Sequence, residues 1–208
     1  MNNVFILLVK PQLGQNIGSV ARVMKNLNFK NLRIVNPRDG WPNQDVISTA
    51  AGADDVITNT KVFDNVSEAC NDLNYLFASS ARKRDLSIKT LDLVNTVSSL
   101  NKTDFFKNGF KFGILFGCES SGLSNKDLII ANQLIYIPSN PDFSSLNISH
   151  AVSLICWEFF KFFNDLILDQ NSKISQNVSP TIKDMDYFYK NLCEKLNDSG
   201  FFHSDFMK

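Results

Sequence analysis

Short apolar runs alternating with stretches of helical periodicity constrain this chain most. Residues 4–9, 32–35, 75–78, 112–116 and 134–137 each have the length and the β-branched or apolar content of a buried strand. Between the first two, Ile17, Val20, Ala21, Met24 and Leu27 recur at helical spacing. That spacing predicts a helix over residues 18–28, with Asn16 placed to cap its first turn. Residues 64–72 and 125–131 read as two shorter helices, each leading into a strand. The alternation fits an α/β fold, a mostly parallel sheet with flanking helices, because parallel neighbours need crossovers that usually hold a helix.

Towards the C-terminus the run ISHAVSLICWEFFKFFNDLIL, residues 148–168, has no Pro or Gly and is apolar nearly all round. Such a helix must be buried on several sides, against the sheet or against a partner subunit. Residues 169–180 are polar, end in Pro180 and read as a linker. Residues 182–196 then carry Met185, Phe188, Leu192 and Leu196 on one helical stripe. These runs divide the 208 residues into one domain, 1–168, and a linker with a short C-terminal helical extension, 169–208.

With 21 basic and 21 acidic residues the formal net charge is zero, so the overall field neither supports nor excludes nucleic acid as a partner. Cys70, Cys118, Cys156 and Cys193 are widely spaced, with no C-x-x-C pair, as expected of reduced thiols in a cytoplasmic protein. The apolar run at residues 4–9 is too short to span a bilayer and lacks a basic flank, so it reads as a first strand and no membrane association is expected.

Walker A, G-x-S-x-G and G-x-G-x-x-G patterns are all missing. His150 and His203 have no metal-ligand spacing to another His or Cys, so no metal is expected. Cys118 has no histidine base beside it in sequence and reads as a packing thiol. Three polar loops remain, each directly after a predicted strand: SSARKR at 79–84, GCESSGLS at 117–124 and PSNPDFSSLNIS at 138–149. Ligands of open α/β sheets bind beyond the carboxyl ends of strands, so the three loops can share one crevice suited to a nucleoside. Gly117 and Gly122 would let backbone approach a flat ligand, while Ser144, Ser145 and Asn147 offer polar groups at a helix start. Taken alone, S-x-L-N-x-S reads first as a helix cap; three such loops in succession favour a site. Arg22 lies on the first helix, and Lys25, Lys30, Arg33, Arg38, Arg82, Lys83 and Arg84 are candidate phosphate contacts.

These residues resemble the SpoU class of SPOUT methyltransferases and, within it, the TrmJ-type tRNA ribose 2′-O-methyltransferases. Three ordered motifs carry the resemblance: NIGSVARVMKNLNFKNLRIVNP at 16–37, ILFGCESSGLS at 114–124 and IPSNPDFSSLNISHAV at 137–152. AAGADDVI at 50–57 and SSARKR at 79–84 are similar to the TrmJ branch in particular. The resemblance implies a trefoil knot at the carboxyl end of the domain, a homodimer with active sites at its interface, and S-adenosyl-L-methionine as methyl donor. By position it implies a cofactor pocket lined by Ser79, Ser80, Ala81, Gly117, Ile137, Ser144, Ser145 and Leu146. It places Asn16, Arg22, Glu119, Ser145 and Asn147 at positions linked to catalysis or site architecture. A guanidinium stays protonated and makes a poor base, so Arg22 is expected to stabilise the developing alkoxide or grip a phosphate. Glu119 remains open as base or as organiser. The implied substrate is tRNA, at nucleotide 32 of the anticodon loop; another tRNA position, ribosomal RNA, or a non-catalytic RNA-binding role are the alternatives. Two departures stand out: Cys118 and Ser120 occupy positions that are commonly arginine in the family's second motif, and the basic C-terminal helices common in TrmJ-type proteins are expected to be cut short here.

Overall fold

The computed structural model describes residues 3–81, 87–100, 110–174 and 182–202. Its centre is a seven-stranded, wholly parallel sheet in the order β3-β2-β1-β6-β4-β7-β5. The strands are β1 Val4–Val9, β2 Asn31–Val35, β3 Lys61–Phe63, β4 Tyr75–Ser79, β5 Thr90–Asp92, β6 Phe112–Phe116 and β7 Gln133–Tyr136. The helices are α1 Gly14–Asn26, α2 Gln44–Ala50, α3 Asp54–Thr58, α4 Val66–Cys70, α5 Leu93–Ser98, α6 Asn125–Ile129, α7 Ile148–Ile174 and α8 Ile182–Asp198. All five predicted strands are present. The two added ones, β3 and β5, are three-residue strands at the sheet's two edges, too short and too exposed to leave a periodic signal.

Alternate residues of each strand serve opposite faces. On one face Ile6, Leu8, Ile34, Phe77, Ile114 and Ile135 pack against α1 and α7, which contribute Ile17, Val20, Met24, Val152, Ile155 and Phe159. On the other, Leu7, Val35, Leu76, Ala78, Leu115 and Leu134 meet α4 and α6 through Ala69 and Leu128. Burying a side chain such as Phe77 or Phe159 fully stabilises the fold by about 1.5–3 kcal/mol relative to leaving it in water.

Helix α1 begins four residues before the predicted start. Leu13 is its N-cap and makes no side-chain cap bond, so Asn16 lies within the first turn and does not cap it. Its C-terminus closes on Asn28 in left-handed conformation, with Asn28 N–H donating to Lys25 O and Phe29 N–H to Met24 O, the Schellman arrangement. Gly18 sits where α1 crosses α2; a Cβ there would run into Thr49 and the backbone of Val46 and Ala50. Helix α7 extends through Ile174, six residues beyond the predicted end, so the polar run from Asp169 begins as helix and not as linker. Residues 175–181, which hold the rest of that run, and Arg82, Lys83, Arg84 and His203 lie outside the described residues. By backbone contacts the chain forms two compact units, 1–167 and 168–208, with α7 crossing from the first into the second. No described helix is long and apolar enough to cross a membrane.

Candidate active site

Strands β6, β4 and β7 are adjacent in the sheet, so the loops that follow them leave its carboxyl edge side by side. They enclose a cleft of about 320 Å³, at the lower end of the range for small-molecule sites. Ser79, Ser80 and Ala81 come from the end of β4 and its loop, and Gly117 from the loop after β6. Ile137, Ser144, Ser145 and Leu146 come from the segment after β7; all eight line the cleft. Ile137 falls one residue past the strand and so reaches the site as loop.

The loop after β6 folds back on itself. Cys118 and Gly122 form an antiparallel bridge, with Gly122 N–H donating to Cys118 O at 2.8 Å. Gly122 has φ of +70°, a left-handed conformation that favours glycine. A Cβ on Gly117 would collide with the backbone of Gly122 and Leu123. Both glycines are therefore required first by the loop's own closure, a different reason from the approach of a ligand.

Glu119 sits in that closed loop with both carboxylate oxygens engaged. Oε2 accepts the Gln12 backbone N–H at 2.9 Å, and Oε1 accepts Asn16 Nδ2 at 2.8 Å. Asn16, only 8% exposed, in turn accepts a hydrogen bond on Oδ1 from Asn147 Nδ2 at 3.0 Å. Asn147 Oδ1 accepts the backbone N–H and the hydroxyl of Ser149, at 2.8 and 2.7 Å, and its carbonyl accepts from Ala151 N–H at the start of α7. One continuous relay thus joins the loop after β1, the loop after β6 and the start of α7. Asn147 caps the start of α7; neither it nor Asn16 lines the cleft, which the relay reaches through Glu119. Gln12 adds a second tie, its Nε2 donating to Ser120 Oγ at 3.1 Å.

Cys118 lines the cleft, so it is not the core packing thiol expected from sequence; that description fits the fully buried Cys156. Burial pushes the Cys118 thiol up, but hydrogen bonds from Ser120 and Ser121 outweigh it and leave the thiol below its ordinary value. Its sulfur lies 3.2 Å from Ser120 Oγ. Among the described residues, the charged ones lining the cleft are Glu119 and Asp142, both acidic, which suits a cationic ligand.

Arg22 is exposed on α1 and is not among the residues that line the cleft. Other cations proposed as phosphate contacts are already engaged. Arg33 is buried and ion-paired with Asp72, Lys25 pairs with Asp55 at 2.7 Å, and Arg38 pairs with Asp39 at 2.8 Å. Arg33 is thereby removed from any RNA-binding surface. Lys30 is exposed. Sequence reasoning missed Gln12, Asp142 and Phe143; Gln12 is found only through the adjacency of β1 and β6, while Asp142 and Phe143 stood inside the third motif unremarked.

The parallel α/β sheet, with a closed glycine loop and an S-x-L-N helix start at its carboxyl edge, is matched among proteins named as methylases. The chain belongs to the SpoU rRNA methylase family, whose model matches residues 3–157, and it is a methyltransferase. Over 202 residues it is 32% identical to the tRNA (cytidine/uridine-2′-O-)-methyltransferase TrmJ of Pectobacterium atrosepticum, with 97% of this chain and 82% of that protein covered. The crystal structure of TrmJ from Z. mobilis ZM4 superposes with a TM-score of 0.69 at 35% identity, over 97% of this chain and 82% of the other. The same fold recurs at 17% identity in the SpoU methyltransferase AviRb from Streptomyces viridochromogenes, solved in complex with AdoMet. That superposition has a TM-score of 0.61 and covers 77% of this chain and 58% of that one.

Proposed function

We propose that this protein transfers a methyl group from S-adenosylmethionine to a ribose 2′-hydroxyl of tRNA, at nucleotide 32 of the anticodon loop, as a cytoplasmic homodimer whose knotted C-terminal loops hold the donor. The observation that carries the reading is the relay Glu119–Asn16–Asn147, which ties the three motifs together around one cleft. The relatives' named activity, 2′-O-methylation of tRNA, supports the choice of substrate.

The residues present fit the donor. Ser79, Ser80, Ser144 and Ser145 offer polar groups, Ile137 and Leu146 offer apolar walls, and Glu119 with Asp142 favours a ligand of net positive charge. Bound there, S-adenosylmethionine supplies an electrophilic methyl group on a sulfonium centre. The protein's part is to orient the ribose oxygen for in-line approach, and positioning of this kind can supply much of the acceleration. Glu119, with both oxygens already accepting hydrogen bonds, acts as a positioning residue that fixes the loop after β6 against α1. Asn147 does the same for the start of α7, presenting Ser145 and Leu146 to the cleft. Arg22 stabilises the alkoxide that forms on the ribose or holds the neighbouring phosphate. Since it lies outside the lining of its own subunit's cleft, it does so where the subunits and the RNA meet. The face of α7 that presents Leu154 and Trp157, 44% and 48% exposed, is the proposed dimer surface, with Trp157 stacked on Phe160 at 5.9 Å.

Transfer of labelled methyl from S-adenosylmethionine to tRNA tests the reading, with the product mapped by nucleotide. Wild type is expected to label nucleotide 32, and Arg22→Ala to lose at least a hundredfold in rate. Equal rates remove Arg22 from the site. A methyl mapped elsewhere keeps the chemistry and corrects the target.

A further inference from the structure

Phe143 is 80% exposed, yet it is one of the residues that line the cleft. A phenylalanine left in water forgoes the burial that usually justifies its place in a sequence. The backbone beneath it is braced. Phe143 ends the single 3₁₀ turn Pro141–Phe143, with Pro141 at the start of the turn. Asn140 Oδ1 accepts the Asp142 N–H at 3.0 Å, and Asn140 O accepts the Phe143 N–H at 3.0 Å. On the far side Ser139 Oγ donates to Ser144 O at 3.2 Å. The ring thus stands on a fixed support at the rim, and the next three residues, Ser144, Ser145 and Leu146, continue along the cleft.

A base has a π-face whatever its sequence, and an exposed ring on an ordered backbone is what single-stranded nucleic-acid binders use to hold one. Among the described residues the cleft's lining carries no Lys or Arg, and the Phe143 ring offers a base its face. We infer that Phe143 is a stacking platform for a base of the RNA substrate, at or next to the ribose that is methylated, and that stacking sets the ribose over the cleft. This inference rests on the reading of the chain as an RNA ribose methyltransferase.

Phe143→Leu, Phe143→Ala and Phe143→Trp separate the aromatic face from mere apolarity, and the exposure of the side chain leaves the fold out of the comparison. With tRNA as substrate, Leu and Ala are expected to raise KM about tenfold, equivalent to about 1.4 kcal/mol, and Trp to stay within about twofold of wild type. Affinity for S-adenosylmethionine by calorimetry and oligomeric state by sedimentation are expected to stay unchanged. A Phe143→Leu variant with wild-type KM overturns the inference. So does a loss of donor affinity, which would place the ring over the cofactor, or a shift in oligomeric state, which would place it under a second copy. Wild type that transfers no methyl to any RNA removes the functional reading and this inference with it; wild type that transfers, with KM indifferent to Leu, removes the inference alone.

Discussion

Arg33 and Asn16 are both polar, both buried at 5% and 8% exposure, and both stand within the first motif, yet they are held in opposite ways. The charge of Arg33 is met on the spot by its two terminal nitrogens, while its Nε is buried without a hydrogen-bond partner among the described residues. Its guanidinium donates to Ala69 O at 2.6 Å and forks onto Asp72 at 2.6 and 3.0 Å. Lys111 reinforces Asp72 at 2.8 Å, and the Phe5 ring lies 4.1 Å away. Asn16 passes its hydrogen bonding along, donating to Glu119 and accepting from Asn147. A buried charge must meet its counter-charge directly or pay desolvation uncompensated. A neutral amide has a donor and an acceptor on opposite sides and can bridge two loops at little electrostatic cost. The charged cluster therefore fastens structure, and the amide relay organises a site.

The contrast fails most visibly if the closed loop beneath the relay is not essential. Gly117→Ala is expected to abolish donor binding and methyl transfer and to lower stability by about 1–3 kcal/mol, because the added Cβ meets backbone and not a yielding side chain. Calorimetric titration and thermal melting read both. Next in size, Asn16→Ala cuts the relay at its centre and takes away the partner of Asn147 Nδ2 and of Glu119 Oε1, while Ser149 and Gln12 keep their bonds to the other atoms. Its kcat/KM is expected to fall ten- to a hundredfold, about 1.4–2.7 kcal/mol, with a smaller change in melting temperature. Loss of stability without loss of activity would erase the distinction from Arg33.

Asp72→Asn probes the other side of the comparison. It is expected to cost about 2 kcal/mol in stability, below the 3–5 kcal/mol of a fully buried pair because Asp72 is 38% exposed, with activity per folded molecule unchanged. Hydrogen bonding from Arg33, opposed by burial and aided by Lys111, holds the Asp72 carboxyl well below the usual carboxylate range. A folded-state pKa lowered in this way contributes stability that is present above the unfolded value, about 3.9. That stability is lost as pH falls below it towards the folded one. The acid limb of the wild-type stability curve should therefore be steeper than that of Asp72→Asn between about pH 4 and the acid transition.

The smallest effect concerns the thiols. Cys118 lies below its ordinary value, whereas burial raises Cys70 to about 11 and pushes Cys156 higher still. In a Cys193→Ser background, iodoacetamide near neutral pH is expected to modify Cys118 first, and S-adenosylmethionine is expected to slow that reaction. Labelling of Cys118 indifferent to the donor would detach this residue from the proposed pocket.

Much of the site was legible, and for identifiable reasons. The five long strands show because a strand buried on both faces is a run of apolar residues; β3 and β5 do not, being short edges. The eight pocket positions are what the resemblance to the SpoU class implies; their adjacency depends on the order β6-β4-β7, which no local pattern states. Arg33 looked like a phosphate contact because a basic residue in a basic neighbourhood has the same letters whether it faces water or Asp72, 39 positions away. Asn16 looked like a cap because helix starts and interior bridges use the same amide.

By itself the sequence determined the class of fold, the three loops and the residues within them, since periodicity and motif order are local properties written along the chain. Only the tertiary structure decided which polar group meets which. Gln12 reaches Glu119, and Asn16 reaches Asn147, across separations of 107 and 131 residues. Hydrogen bonding depends on distance and direction in space, and those are set when parallel strands distant in sequence become neighbours.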